Sequence, residues 1–190
     1  MMIGLYFGSF NPVHIGHLAI ANYMVEFTDI DQLWFIVSSQ NPLKKKETLL
    51  DDFERYDLVE LAIGTDDRFR VSDIEFRLPK PSFTVDTLAY LQEQFPRYQF
   101  SLIIGSDNLP TFHQWKNHKL IEKNYKRYVY PRRGSESIDP VQHINIEMVK
   151  APMIEISSSF IRNAIRQGKD IRYFLPENVY DHICKMNFYK

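Results

Sequence analysis

The chain has 190 residues, of which 44% are hydrophobic and 14% aromatic, a composition typical of a folded domain and not of a disordered chain. Its 23 Lys and Arg residues nearly balance 24 Asp and Glu residues, and the formal net charge of −1 argues against general binding to nucleic acids or membrane surfaces. Cys184 is the only cysteine, which excludes an intramolecular disulfide and a cysteine-based zinc site. Without a signal-peptide pattern or a long apolar run, the sequence predicts a cytoplasmic, reducing setting.

Short apolar, β-rich runs alternate with helical patterns along the chain. The predicted strands are residues 3–7, 32–38, 68–74, 100–105, 127–132 and 144–149. The predicted helices are residues 16–27, 51–63, 84–95 and 117–124, followed by 158–168 and 176–186 without a strand between them. Strands that are apolar almost throughout, separated by helices, indicate a parallel sheet covered on both faces.

The predicted fold is therefore α/β, with a Rossmann-like, doubly wound, mostly parallel sheet and a small C-terminal helical region. We expect a single domain over residues 1–190, in which residues 156–190 form the helical part. Cys184 lies late in the last predicted helix, and we expect its side chain in the core.

Two glycine-containing turns mark the expected ligand site. In a doubly wound sheet, ligands bind beyond the carboxyl ends of the strands where the strand order reverses. With right-handed crossovers, that point lies between the first and fourth strands. These strands are followed by "GSFNPVHIGH" (8–17) and "GSDNLPTFHQW" (105–115). We therefore expect both stretches to converge on one crevice.

The first stretch has the chemistry of a phosphate site. Gly8 permits a sharp turn and a close approach of ligand. The helix begins near residues 14–16, so its unpaired N–H groups and positive dipole end face the crevice and attract anions. His14 and His17 project from the same face of the first turn, and Gly16 between them removes bulk. Two imidazoles in this position can stabilise negative charge that develops on phosphate oxygens.

Other interpretations of the two histidines remain. A His-x-x-His spacing is also that of a partial metal site, although the sequence places no third ligand nearby. Either histidine can instead be a structural residue. The strand, the glycine turn and the helix around the pair favour phosphate contact, and we predict no metal ligands in this chain.

Two motifs carry a family resemblance. "GSFNPVHIGH" resembles the (G/T)xF(D/N)PxHxGH signature of the nucleotidyltransferase superfamily, and "ISSSFIR" (156–162) resembles its ISSTxIR signature. Within that superfamily the chain is similar, over nearly its whole length, to the bacterial nicotinate-nucleotide adenylyltransferase family. The further matching stretches are "NPLKKKETLLDDFERYDLVELA" with Lys44 and Arg55, "PSFTVDTLAYL", "IIGSDNLPTFHQWKNHKLI" and "RRG". The departures are Asn11 for Asp, Leu43 for His, Arg133 for Pro and Ser159 for Thr.

The resemblance implies an adenylyl transfer in NAD biosynthesis. The phosphate of nicotinate mononucleotide would attack the α-phosphorus of ATP in line, giving nicotinate adenine dinucleotide and pyrophosphate without a covalent enzyme intermediate. Mg²⁺ would accompany ATP, held chiefly by phosphates and water. Catalysis would then rest on positioning and on charge stabilisation, with His14 and His17 at the reacting phosphates.

The resemblance also implies binding residues. Those for ATP are Gly8, Ser9, Phe10, Gly16, Lys44, Gly105, Asp107, Ser157, Ser158 and Arg162. Those for nicotinate mononucleotide are Thr84, Trp115 and Arg132. Trp115 can stack on the pyridine ring, and the helix start at Thr84 can bind its carboxylate. Each of these residues also has a possible role without a ligand. Trp115 can lie in the core, Thr84 and Asp107 can cap helices, and Lys44 can be a solvated surface lysine. Residues 157–162 can form an ordinary capped helix.

Three other functions stay open at this stage. A related adenylyltransferase acting on phosphopantetheine shares both motifs, but its family typically has Thr at the position of His14 and lacks "SFTVDTL". A non-catalytic nucleotide sensor is disfavoured because both phosphate motifs are intact. An RNA-binding domain rests only on the Lys and Arg clusters. We expect no nucleic-acid or membrane partner, and the sequence leaves homo-oligomerisation open.

Overall fold

The computed structural model describes residues 1–39, 49–133 and 144–190. Within them, six parallel strands form one sheet in the order β3-β2-β1-β4-β5-β6. The strands are β1 (Met2–Gly8), β2 (Gln32–Val37), β3 (Phe69–Ser72), β4 (Gln99–Gly105), β5 (Lys126–Tyr130) and β6 (Ile146–Met148). The strand order reverses between β1 and β4, which confirms the predicted fold class and the predicted reversal point.

Six α-helices flank the sheet in the described residues. They are α1 (Ile15–Phe27), α2 (Asp52–Ile63), α3 (Thr84–Gln94), α4 (His118–Asn124), α5 (Ser158–Arg166) and α6 (Glu177–Met186). Each matches a predicted helix within a few residues. None of the described helices is long and apolar enough to cross a membrane.

The sheet is buried on both faces, as its apolar strands predict. Along β2, Leu33, Phe35 and Val37 lie in one hydrophobic core. Trp34 and Ile36, which alternate with them, lie in the other. Since successive side chains of a strand point to opposite faces, two covered faces require a continuous apolar run.

The stretch after β4 differs from the expected turn, because Ser106–Gln114 forms a 3₁₀-helix. Pro110 lies inside it, and in an α-helix its ring would clash with the carbonyl four residues earlier. A second 3₁₀ segment, Ile74–Phe76, ends β3 earlier than predicted.

The predicted core position of Cys184 is wrong, because its thiol is exposed. In α6 the buried residues are Val179 and Ile183, which lie four residues apart on one face. The next position along the helix, Cys184, turns away from that face.

Candidate active site

The turn between β1 and α1 is built on a buried aromatic ring. Phe10 is 1% exposed, and its ring meets the ring of His17 edge-on with 5.1 Å between centroids. Its backbone φ of 43° is in the left-handed region, an arrangement that costs a bulky residue about 1–3 kcal/mol and concentrates at functional sites. A Cβ at Gly8 would lie 2.8 Å from the Phe10 ring, so glycine is required for this packing. The part of Phe10 that can meet a nucleotide is therefore its backbone.

The two motif histidines stack on each other at the start of α1. Their ring centroids are 3.7 Å apart with 27° between planes. The His14 backbone N–H donates to Nδ1 of His17 at 3.2 Å. Because that Nδ1 accepts a hydrogen bond, we assign the ring proton of neutral His17 to Nε2, which is then its donor atom.

His14 is the buried member of the pair. It is 4% exposed, and its Nδ1 has no hydrogen-bond partner among the residues that the structure describes. Burial, with a smaller contribution from the nearby positive charge of Arg132, lowers the pKa of His14 from 6.5 to about 4. The imidazole is therefore neutral at pH 7. A Cβ at Gly16 would lie 3.0 Å from the His14 ring and from Ile154, so Gly16 keeps this corner open.

The depressed pKa of His14 predicts a stability loss on acidification. Below pH 6.5 His14 becomes protonated in the unfolded chain, whereas in the folded chain it stays neutral down to about pH 4. Protonation therefore favours the unfolded chain, and the free energy of unfolding decreases as the pH falls from 6.5 to 4. Over the full window the loss is about 3 kcal/mol. We expect urea unfolding at pH 7.5 and pH 5 to show a larger decrease for the wild type than for His14→Asn. Equal decreases in the two proteins would contradict the assignment.

The second motif lies directly against the first. The Ser158 hydroxyl donates to the Pro12 carbonyl at 2.9 Å, and Nη1 of Arg162 donates to the Asn11 carbonyl at 2.7 Å. Ser157 caps α5, since its hydroxyl accepts the N–H of Phe160 at 3.2 Å. The structure thus joins the starts of α1 and α5, although the bonded residues are 146 and 151 positions apart in sequence.

The stretch after β4 faces the same corner. Arg132 follows β5, and its backbone N–H donates to the Ser106 hydroxyl at 2.7 Å. Its Nε lies 4.0 Å from Oδ1 of Asp107. A Cβ at Gly105 would collide with the Asp107 carboxylate and lie 3.1 Å from Cγ of Arg132, so glycine makes room for both side chains.

Two tyrosines orient Arg132. Its Nη2 donates to the Tyr130 hydroxyl at 3.0 Å, and this hydroxyl lies 3.3 Å from the Tyr6 hydroxyl. A cavity opens between these groups and the histidine pair; it is lined by Tyr6, His14, Gly16, His17, Ile20, Tyr130, Pro131, Arg132, Ile154 and Ile156. Its polar lining consists of imidazole, phenol and guanidinium groups, which are donors suited to phosphate oxygens.

Comparisons with known proteins identify the family. The model of the family described as Cytidylyltransferase-like matches residues 5–164. A curated protein of Flavobacterium psychrophilum, named "Probable nicotinate-nucleotide adenylyltransferase", is 54% identical, with 100% of both chains covered. This chain belongs to the nicotinate-nucleotide adenylyltransferase family. A protein of the same name from Cytophaga hutchinsonii is 51% identical, with 100% of this chain and 98% of that protein covered.

The fold of the family extends to distant relatives of known structure. Plasmodium falciparum nicotinic acid mononucleotide adenylyltransferase, solved in complex with NaAD, superposes with a TM-score of 0.81. The alignment covers 99% of this chain and 97% of that one at 20% identity. At that identity the likeness concerns the fold alone.

Arg55 binds the turn after β1, which leads into the nicotinate-nucleotide adenylyltransferase site. Its side chain is fully buried and donates to the backbone carbonyls of Ser9 at 2.7 Å, Ser38 at 2.8 Å and Leu50 at 3.0 Å. It also pairs with Asp52 at 2.6 Å. The guanidinium therefore ties the turn after β1 to the end of β2 and to the residues before α2. The family resemblance pointed to Arg55, but nothing in the local sequence announces its burial.

The residues expected to bind the nicotinate ring lie on the other side of the sheet. Thr84 is the first residue of α3, whose N-cap is Phe83, so Thr84 is not the cap. Trp115 packs against the second core, 5.3 Å from the Phe112 ring. A salt bridge between Lys116 and Asp86, 2.8 Å long, joins their neighbourhoods. Neither Thr84 nor Trp115 is among the described residues that line the cavity at the histidines.

Lys44 and Leu43 lie outside the described residues, as do the neighbouring lysines. In the described part of the chain, no group of three or more His, Cys, Asp or Glu side chains could hold a metal ion.

Proposed function

We propose that this protein transfers the adenylyl group of ATP to nicotinate mononucleotide, giving nicotinate adenine dinucleotide and pyrophosphate. The observation that carries the proposal is the hydrogen-bonded junction of the β1–α1 turn and α5 beside the stacked histidines, at the strand-order reversal. The family membership and the name of the Flavobacterium relative support the same reaction.

The chemistry requires binding and charge stabilisation. An oxygen of the mononucleotide phosphate attacks the α-phosphorus of ATP, the new P–O bond forms, and the bond to pyrophosphate breaks with its electron pair on the leaving oxygen. No enzyme nucleophile takes part. Nε2 of His17 donates to the α-phosphate as negative charge develops, and neutral His14 lies against it without adding a competing charge.

Three further groups complete the proposed nucleotide site. Arg132, oriented by Tyr130, supplies a positive charge across the cavity from the histidines. Arg162 and the start of α5 bind the β- and γ-phosphates, where the N–H groups of the first helical turn add to the guanidinium. Gly8, Ser9 and the backbone of Phe10 shape the floor of this site.

ATP is proposed to enter as its Mg²⁺ complex, with Mg²⁺ as part of the substrate. The described donors near the histidines are N–H, phenol and guanidinium groups, which bind phosphate oxygens and leave the ion to phosphates and water. The ion supplies charge neutralisation to the triphosphate. The proposed setting is cytoplasmic and reducing, in keeping with the free Cys184 thiol.

On the acceptor side, we propose that α3 selects nicotinate over nicotinamide. The first turn of α3 presents the positive end of a helix dipole near Thr84, which favours a carboxylate by about 0.3–1 kcal/mol, and by up to about 2 kcal/mol in a partly buried site. We therefore expect kcat/KM to be about 2- to 30-fold higher for nicotinate mononucleotide than for its amide. Pyrophosphate release with each acceptor is the measurement.

Matched variants test where this selectivity lies. Thr84→Val removes the hydroxyl that, together with the N–H groups of the first turn of α3, is proposed to bind the carboxylate. This variant is expected to reduce the acid-over-amide preference, whereas the exposed Thr65→Val is expected to leave it unchanged. Phosphopantetheine serves as a third acceptor. If ATP were turned over with phosphopantetheine but with neither mononucleotide, the proposed function would be wrong, and the protein would be the related adenylyltransferase.

A further inference from the structure

The segment after α6 folds back onto the β1–α1 turn. Asn187 and Tyr189 have φ values of 56° and 67°, and these left-handed residues reverse the chain direction. The reversal delivers the Tyr189 hydroxyl to Oδ1 of Asn11, to which it donates at 2.8 Å. The two residues are 178 positions apart in sequence, so this hydrogen bond links the two ends of the described fold.

Asn11 contacts both Tyr189 and the arginine of the second motif. It is 3% exposed, and its Oδ1 also accepts the N–H of Leu50 at 3.3 Å. Its own carbonyl accepts Nη1 of Arg162 at 2.7 Å. The side chain of Asn11 thus meets Tyr189, while its backbone holds the arginine of the second motif. The side chain and the carbonyl belong to the same residue, so a displacement at the side-chain contact can also displace the carbonyl.

The Tyr189 hydroxyl is a permanent donor. Burial raises its pKa well above 10, although the positive charges of Arg162 and Arg55 act in the opposite direction. The hydroxyl therefore stays protonated throughout the working pH range. The charges of both arginines act on the Tyr189 hydroxyl, so this hydroxyl lies near Arg55 as well as near Arg162.

We propose that Tyr189 is a positioning residue for ATP: by holding Asn11, it fixes the carbonyl that orients Arg162 toward the triphosphate. The proposal rests on the proposed function only in taking ATP as a ligand of this site. A purely structural tether would stabilise the fold without distinguishing between the two substrates. A positioning role affects the ATP side selectively.

Tyr189→Phe removes the hydroxyl and keeps the ring. We expect the KM for ATP, and the Kd for MgATP measured by calorimetry without acceptor, to rise about 3- to 10-fold, the range for losing one hydrogen bond. The KM for nicotinate mononucleotide is expected to stay within about twofold of the wild type. Tyr173→Phe is the matched control, because it removes a hydroxyl from a tyrosine that is 86% exposed.

A double-mutant cycle tests the route through Asn11. Asn11→Ala is expected to weaken ATP binding at least as much as Tyr189→Phe, and adding Tyr189→Phe to it should have no further effect. Asn11→Asp keeps an oxygen acceptor and should retain the effect of Tyr189→Phe if the alanine variant does not fold.

The outcomes separate this inference from the proposed function. Normal MgATP binding by a wild type that does not adenylylate nicotinate mononucleotide would overturn the proposed function, while the Kd comparison would still decide the role of Tyr189. Equal ATP affinity in Tyr189→Phe and Tyr173→Phe would overturn the inference. An equal increase in the KM values for ATP and for nicotinate mononucleotide would also overturn it. So would a double variant in which the effects of Asn11→Ala and Tyr189→Phe on the Kd for MgATP multiply. A wild type that does not bind MgATP would overturn both.

Discussion

His17→Ala is expected to reduce kcat more than a hundredfold while the protein folds normally and binds ATP with little change. The donor lost is Nε2, whose proposed hydrogen bond to the α-phosphate would strengthen as negative charge accumulates in the transition state. Removing one such preorganised donor typically costs about 2.7–4 kcal/mol. Because the loss falls on the transition state, kcat should decrease and the KM for ATP should change little. Steady-state pyrophosphate release, with circular dichroism of the variant, measures both expectations.

Two controls distinguish catalysis from support of the helix. His113→Ala removes an exposed histidine of the 3₁₀-helix after β4 and should retain full activity. His17→Asn keeps an acceptor for the His14 backbone N–H, which His17 Nδ1 now provides at 3.2 Å, but its amide is shorter than the imidazole. Near-normal turnover by His17→Asn would show that His17 acts only through helix capping, and near-normal turnover by His17→Ala would remove it from the mechanism.

Local sequence pattern predicted the sheet because each strand carries its own signal. The run from Leu33 to Val37 is apolar at every position, and such a short run is typical of a strand buried on both faces. The reversal between β1 and β4 then followed from the handedness of crossovers, without any residue-specific information. The 3₁₀-helix of Ser106–Gln114 was not predicted, because such a short helix has no periodic signal and Pro110 suggests a turn.

The candidate site was only partly accessible to sequence reasoning. The glycine turn and the histidine spacing predicted a phosphate site, and the family resemblance supplied Arg162 and Arg132. The burial of Arg55 and the docking of Tyr189 on Asn11 depend on hydrogen bonds across 46 and 178 positions, which no local pattern encodes. The sequence also did not predict the burial of Phe10. The motif suggested that Phe10 contacts the ligand, but its side chain lies in the core.

The second large effect is expected at Arg55. Replacing it by Met keeps much of the volume but removes the donor from the carbonyls of Ser9, Ser38 and Leu50, all in a fully buried environment. Asp52 loses its 2.6 Å partner, and its remaining ion pair among the described residues is the 3.0 Å contact with Lys80. We expect the free energy of unfolding to decrease by about 3–5 kcal/mol, the range for removing one member of a buried ion pair. Urea denaturation measures this directly.

The comparison with an exposed arginine decides whether burial is the cause. Arg77 also pairs with an aspartate, Asp73 at 2.8 Å, but its side chain is 70% exposed. Arg77→Met should therefore change stability by less than about 0.5 kcal/mol. Arg55→Lys retains the charge, yet one ammonium group cannot reproduce the planar fork that reaches the turn, β2 and α2 together, so we expect an intermediate loss. If Arg55→Met were as stable as Arg77→Met, the buried guanidinium would not be what holds these three segments under the nucleotide site.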